Sequence, residues 1–181
     1  MTGVQTCALP ICFPVTIAGN ANRNTIVGRT GNDTISAGSG ADLVYGDDNT
    51  TLLAMGGSES GDDTIWGEAG DDTLFGGADN DTIYGGEGDD SIEGNTGTNV
   101  LSGNDGNDYF TVHEGNDTIS GGDGTDTVSY YYAGAAVNVD LSNITTTQTT
   151  GGGGNDRFTA LDIENLSDSI VTGKQIGRAH V

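Results

Sequence analysis

The residues best placed to do chemistry are aspartates at a fixed spacing. Asp33, Asp42, Asp63, Asp72, Asp81, Asp90, Asp108, Asp117 and Asp126 each stand two positions before an apolar residue. Consecutive members lie nine or eighteen residues apart, except for the 21-residue step from Asp42 to Asp63. Carboxylates are hard oxygen donors, and calcium takes roughly six to eight oxygens, backbone carbonyls among them. One carboxylate cannot satisfy such an ion, so each Asp needs carbonyls and a second turn of chain. Asn24 and Asn99 stand in the same phase, and Asp168 opens a D-x-apolar-x-x-G stretch near the C-terminus. An amide oxygen ligates without bringing charge, so Asn24 and Asn99 are weaker candidates, as is Asp168 in its incomplete stretch. A catalytic reading fails. The adjacent acids Asp62/Asp63, Asp71/Asp72 and Asp89/Asp90 recur with the spacing, as a ligand and a solvated neighbour would, not as an acid–base pair. No HExxH, G-x-S-x-G, Walker or EF-hand sequence occurs, and His113 is read as a lone solvated imidazole.

A nonapeptide positions these residues. The chain reads GRTGNDTIS (28–36), AGSGADLVY (37–45), SESGDDTIW (58–66), GEAGDDTLF (67–75), GGADNDTIY (76–84) and GGEGDDSIE (85–93). It continues GNTGTNVLS (94–102), GNDGNDYFT (103–111), VHEGNDTIS (112–120) and GGDGTDTVS (121–129), with a weaker unit, GNANRNTIV (19–27), leading in. Between Tyr45 and Ser58 the period slips: GDDNTTLLA (46–54) has Thr51 where the Asp belongs, and Met55–Gly57 add three residues. Position eight is always apolar, from Ile26 to Val128, and its neighbours are mostly Thr, Ser or Tyr. That predicts a three-residue strand with one side chain pointing inward. The Gly-rich hexapeptide is the turn, where positive φ or close backbone stacking excludes a Cβ. Two units make a coil of eighteen residues, with equivalent residues about 4.8 Å apart.

This unit resembles the calcium-binding nonapeptide of the repeats-in-toxin (hemolysin-type) family, glycine-glycine-x-glycine-x-aspartate-x-apolar-x, a known β-helix period. The resemblance runs through Gly19–Ser129, and GGEGDDSIE and GGDGTDTVS match every defined position. It implies an all-β fold, a parallel β-roll (a β-solenoid with two nonapeptides per coil), holding several calcium ions between successive turns. Stacking at eighteen residues pairs Asp63 with Asp81, Asp72 with Asp90, Asp90 with Asp108, and Asp108 with Asp126, beside carbonyls of the Gly-rich turns. A core of one apolar side chain per unit is thin, and the 27 acids repel one another against only five bases. Calcium is therefore expected to switch the chain from disorder to fold.

The formal charge of −22, without a Lys/Arg cluster, excludes a nucleic-acid binder. No apolar run is long enough for a membrane span, and Gly does not recur every third residue as in collagen. Met1–Cys12 (MTGVQTCALPIC) and Gln175–Val181 (QIGRAHV) share nothing with the middle. They resemble one sequencing adapter translated from opposite strands, and are expected to be dispensable and loosely packed. Both cysteines lie in the first, so no disulfide or thiolate site is expected.

The chain thus divides into 1–12 adapter, 13–18 lead-in, 19–129 roll with the slipped segment 46–57, 130–173 β-rich flank entering a further repeat, and 174–181 adapter. In the flank, Tyr130–Tyr132 and Ala136–Leu141 read as strands, followed by a Thr/Gly-rich loop. The flank is expected to cap the open end of the solenoid. The position-nine row of Tyr45, Trp66, Phe75 and Tyr84 reads as mutual packing, with a cell surface or carbohydrate as the alternative partner. The family resemblance implies a non-enzymatic, monomeric, calcium-binding fragment of a larger bacterial exoprotein, exported by a type I pathway to the extracellular space. The alternatives are the C-terminal module of a secreted metalloprotease or lipase, and an adhesin or ice-binding solenoid, which requires a flat Thr face.

Overall fold

The computed structural model describes residues 3–6, 14–47, 60–132, 148–151, 154–158 and 163–167. Among them all regular structure is β. β1 (Gly3–Thr6), β2 (Thr16–Ala18), β3 (Asn24–Val27), β4 (Thr34–Ser39) and β5 (Leu43–Tyr45) precede the slip. β6 (Thr64–Ala69), β7 (Thr73–Gly77), β8 (Thr82–Glu87) and β9 (Ser91–Asn95) follow it. Then come β10 (Val100–Asp105), β11 (Tyr109–Thr111), β12 (Thr118–Asp123) and β13 (Asp126–Ser129). β14 (Gln148–Gly151), β15 (Gly154–Phe158) and β16 (Ile163–Ser167) close the C-terminal end.

Through the repeat, successive strands alternate between two sheets and pair in parallel. One sheet runs β1-β3-β5-β7-β9-β11-β13-β16 and the other β14-β15-β12-β10-β8-β6-β4-β2. The register is eighteen residues, as in Thr64↔Thr82 and Thr82↔Val100. This is the parallel β-roll that the nonapeptide predicts. The inward position-eight side chains, Ile26 to Val128, are all buried between the sheets, joined by Ala37 and Val112, which replace glycine at position one. The strands outrun the predicted three residues: β4, β6, β8, β10 and β12 each span six, because hydrogen bonding continues through position nine into the glycines. Close stacking explains those glycines. A Cβ at Gly86 (φ 129°) or Gly88 (φ 132°) would lie 2.0 Å from Glu68 O or 2.3 Å from Gly70 O of the preceding coil.

The slip resolves differently from its reading as a degenerate unit before SESGDDTIW. Thr34 pairs with Thr64 and Leu43 with Thr73, a register of thirty in both sheets. Thirty less the usual eighteen leaves twelve extra residues in the sequence between β5 and β6, where the other units have one turn. Gly46 and Asp47 open that turn, donating to Phe75 O and Gly76 O, and Gly61–Asp63 complete it. Strand pairing sets the register, and a turn absorbs an insertion at little entropic cost. Thr51 and Leu53 lie outside the described residues.

At the C-terminal end β15 pairs in parallel with β12 and antiparallel with β14, while β16 pairs with β13. Tyr130–Tyr132 are not a strand. β13 ends at Ser129, and the Tyr130 ring turns into the core, where its hydroxyl donates to Asp156 Oδ2 at 3.0 Å. Ala136–Leu141 lie outside the described residues. At the other end, Gly3–Thr6 of the expected adapter segment form β1, paired with β3. An open solenoid edge offers unpaired N–H and C=O groups that an extended segment can satisfy.

Candidate metal centre

The position-six residues form two columns, one per sheet. Asn24, Asp42, Asp72, Asp90, Asp108 and Asp126 make the first. Asp33, Asp63, Asp81, Asn99, Asp117 and Asp156 make the second. After the first member of each column, each Oδ1 accepts the backbone N–H of the position-six residue one coil earlier: Asp63 N to Asp81 Oδ1 and Asp72 N to Asp90 Oδ1 are both 2.9 Å. Asp33 and Asp42 reach Asp63 and Asp72 across the insertion, each at 2.7 Å. Asp33 Oδ1 in turn accepts from Val15 N.

The other carboxylate oxygen is the chemically telling atom. Oδ2 of Asp33, Asp42, Asp63, Asp72, Asp81, Asp90 and Asp108 is buried without a hydrogen-bond partner. It faces position one of its own turn, beside a carbonyl of the next coil. A Cβ at Gly67 would lie 2.4 Å from Asp72 Oδ2 and 2.5 Å from Gly85 O. At Gly85 the same atom would lie 2.2 Å from Asp90 Oδ2 and 2.7 Å from Gly103 O. At Gly28, Gly46, Gly67, Gly85 and Gly103 the interval between turns thus has a carboxylate oxygen without a hydrogen-bond partner beside a carbonyl, the donor set of a hard cation. Among the described residues no three acidic or imidazole side chains converge on one point, so any ion would depend on carboxylates with carbonyls. The residues present fit calcium.

Without a cation these carboxylates are strained electrostatically. Burial pushes Asp63 and Asp81 up to about 8 and Asp72, Asp90 and Asp117 up to about 7, partly offset by their backbone hydrogen bonds. Repulsion between neighbouring acids adds to the rise, as Asp108 and Asp72 do for Asp90. Asp33 and Asp108 rise for the same first reason, burial. Asn99 differs: its Nδ2 is buried without an acceptor and brings a donor where the column otherwise brings charge.

Three features escaped the sequence reading. GGGGNDRFT (151–159) is a complete nonapeptide in what reads as loop; its Asp156 ends the second column, and its Phe158 is buried. Its phase was the available signal. Asp47 is also buried, and Oδ2 accepts from Ala78 N at 2.9 Å. Position five is more than a solvated neighbour. Asp71 Oδ1 accepts from Asp89 N, Asp89 from Asn107 N and Asn107 from Thr125 N, a ladder running opposite to position six. Asp168 lies outside the described residues.

His113 is not alone. It stacks on Tyr132 at 4.6 Å and its Nε2 lies 2.9 Å from Glu93 Oε1. The aromatic row splits between the sheets into two stacked pairs, Tyr45–Phe75 at 5.0 Å and Trp66–Tyr84 at 6.0 Å. Thr16, Thr34, Thr64 and Thr82 are successive cross-strand neighbours, and Val100 interrupts that row before Thr118.

The fold is a parallel β-roll whose turns present carboxylate and carbonyl oxygens. The family model for the RTX calcium-binding nonapeptide repeat (four copies) matches residues 18–52, 58–92 and 93–128, more than half of the chain. The chain belongs to that family. No curated protein matches it significantly.

Proposed function

We propose that the chain is a calcium-responsive folding module of a larger secreted bacterial exoprotein. The orphaned, buried Oδ2 column supports this reading above all: a bound cation offsets the penalty of burying those charges beside one another. In this reading Asp33, Asp42, Asp63, Asp72, Asp81, Asp90, Asp108, Asp117 and Asp126 are ligands, together with turn carbonyls. Asn24 and Asn99 make weaker sites, and Asp168 belongs to a further repeat. Bound calcium supplies charge neutralisation and cross-turn bridging. The residues do the rest: Oδ1 holds the amide of the preceding coil, and Oδ2, beside the position-one glycines, would hold the ion together with turn carbonyls. An ion at ten times its dissociation constant adds about 1.4 kcal/mol, so several together rival a domain's net stability. The family resemblance implies export unfolded through a type I pathway, with folding in the calcium-rich exterior. The module itself performs no catalysis. Isothermal titration of metal-stripped protein tests the proposal: several calcium ions should bind with folding, and absence of binding refutes it.

A further inference from the structure

The turn that carries the insertion differs from the others in having a buried carboxylate at position two. Asp47 is 4% exposed, whereas Glu68 at the same position of the next unit is exposed. Gly46 and Asp47 stack on Gly76 and Gly77, with Asp47 N donating to Gly76 O at 3.0 Å. A Cβ at Gly46 would meet Asp63 Oδ2 at 2.3 Å, one at Gly76 would meet Asp81 Oδ2 at 2.3 Å, and one at Gly77 would meet Asp47 Oδ2 at 2.7 Å. Three carboxylates therefore border two stacked glycine steps. Asp63 and Asp81, each 1% exposed, have an unpartnered Oδ2 there, while the Ala78 amide holds Asp47.

We infer that Asp47 is an affinity-setting carboxylate standing just outside the ligand shell, and that it makes the Asp63–Asp81 interval the first to load calcium. This rests on the proposed calcium function and specifies where filling begins. Calcium sites are tuned by the number of charges around the ion, and Asp47 is buried against the same stacked glycines that Asp63 and Asp81 border. The same carboxylate that destabilises the metal-free turn thus favours the cation. Coil stacking would then spread in both directions from this turn.

The single tryptophan reports on this interval, because Trp66 follows Asp63 by three residues and stacks on Tyr84, which follows Asp81 by three. Terbium luminescence sensitised through Trp66 is titrated in the full chain and in Asp47→Asn, which keeps the acceptor for Ala78. Asp123→Asn, an exposed site farther along the roll, controls for net charge. Asp47→Asn should raise the terbium midpoint about tenfold, while Asp123→Asn holds it. Without metal, Asp47→Asn should instead increase residual β structure, a sign reversal that loss of packing does not produce. An unchanged midpoint for Asp47→Asn, with Asp63→Asn abolishing the signal, overturns the role of Asp47 and leaves the calcium function standing. No loss of signal in Asp63→Asn removes the site itself. Should Asp47→Asn fail to reach the wild-type circular dichroism at saturating calcium, or lose β structure without metal, its role is packing and the inference falls.

Discussion

Asp90 has an aspartate one coil away on either side, Asp72 and Asp108. Asp33 has one such neighbour, Asp63, and on its other side only the Val15 amide. Replacing Asp90 with Ala leaves two intervals short of a carboxylate, and replacing Asp33 leaves one. Asp90→Ala should therefore raise the calcium midpoint of folding more than Asp33→Ala, by about tenfold if each missing carboxylate counts similarly. Equal effects in calorimetric titration would break the pairing. Asn99→Asp should lower the midpoint, because it replaces an orphaned donor with a charge between Asp81 and Asp117. The pH response follows from the same atoms. Asp63 and Asp81 rise from 3.8 to about 8, so between these values the folded, metal-free chain binds more protons than the unfolded one. Stability without metal then falls as pH rises through that window. Acidifying metal-stripped protein from pH about 8 towards about 4 should promote β structure; unfolding over that range contradicts the burial.

At the scale of elements, most of the roll was legible because one nonapeptide carries its own strand, turn and ligand. Ile83 and Ile92 fall inward by phase alone, and Asp81 and Asp90 follow two residues ahead of them. The insertion was not legible: GDDNTTLLA reads as a degenerate unit before SESGDDTIW, and only the pairing of Thr34 with Thr64 shows twelve residues beyond the eighteen-residue register. Asp156 was hidden because its unit resumes after a stretch without the repeat, placing it 39 residues from Asp117. Tyr130 misled because an apolar aromatic after a strand reads as more strand until its hydroxyl finds Asp156. If the insertion is only a turn excursion, excising residues 48–59 restores a nonapeptide, Gly46–Asp47 joined to Ser60–Trp66. That variant should fold at the same or lower calcium, since a shorter loop costs about 1 kcal/mol less to close at most. A higher midpoint in a circular dichroism titration would assign the segment a structural role.

For the whole molecule, a thin core and a charge of −22 make the folded state conditional. Hydrophobic burial supplies one inward side chain per unit, and the two carboxylate columns work against folding until they are neutralised. Removing residues 1–12 and 175–181 should leave the calcium midpoint unchanged, although β1 borders β3; a large shift would show that the pairing contributes stability. The most direct measurement is circular dichroism with small-angle scattering on metal-stripped protein, titrated with calcium and separately with magnesium. The metal-free chain should be expanded and coil-like, and millimolar calcium should compact it into β structure. Magnesium should do so poorly, because it demands a tight octahedron and keeps its water. A compact, fully β-structured chain in excess chelator would contradict the account.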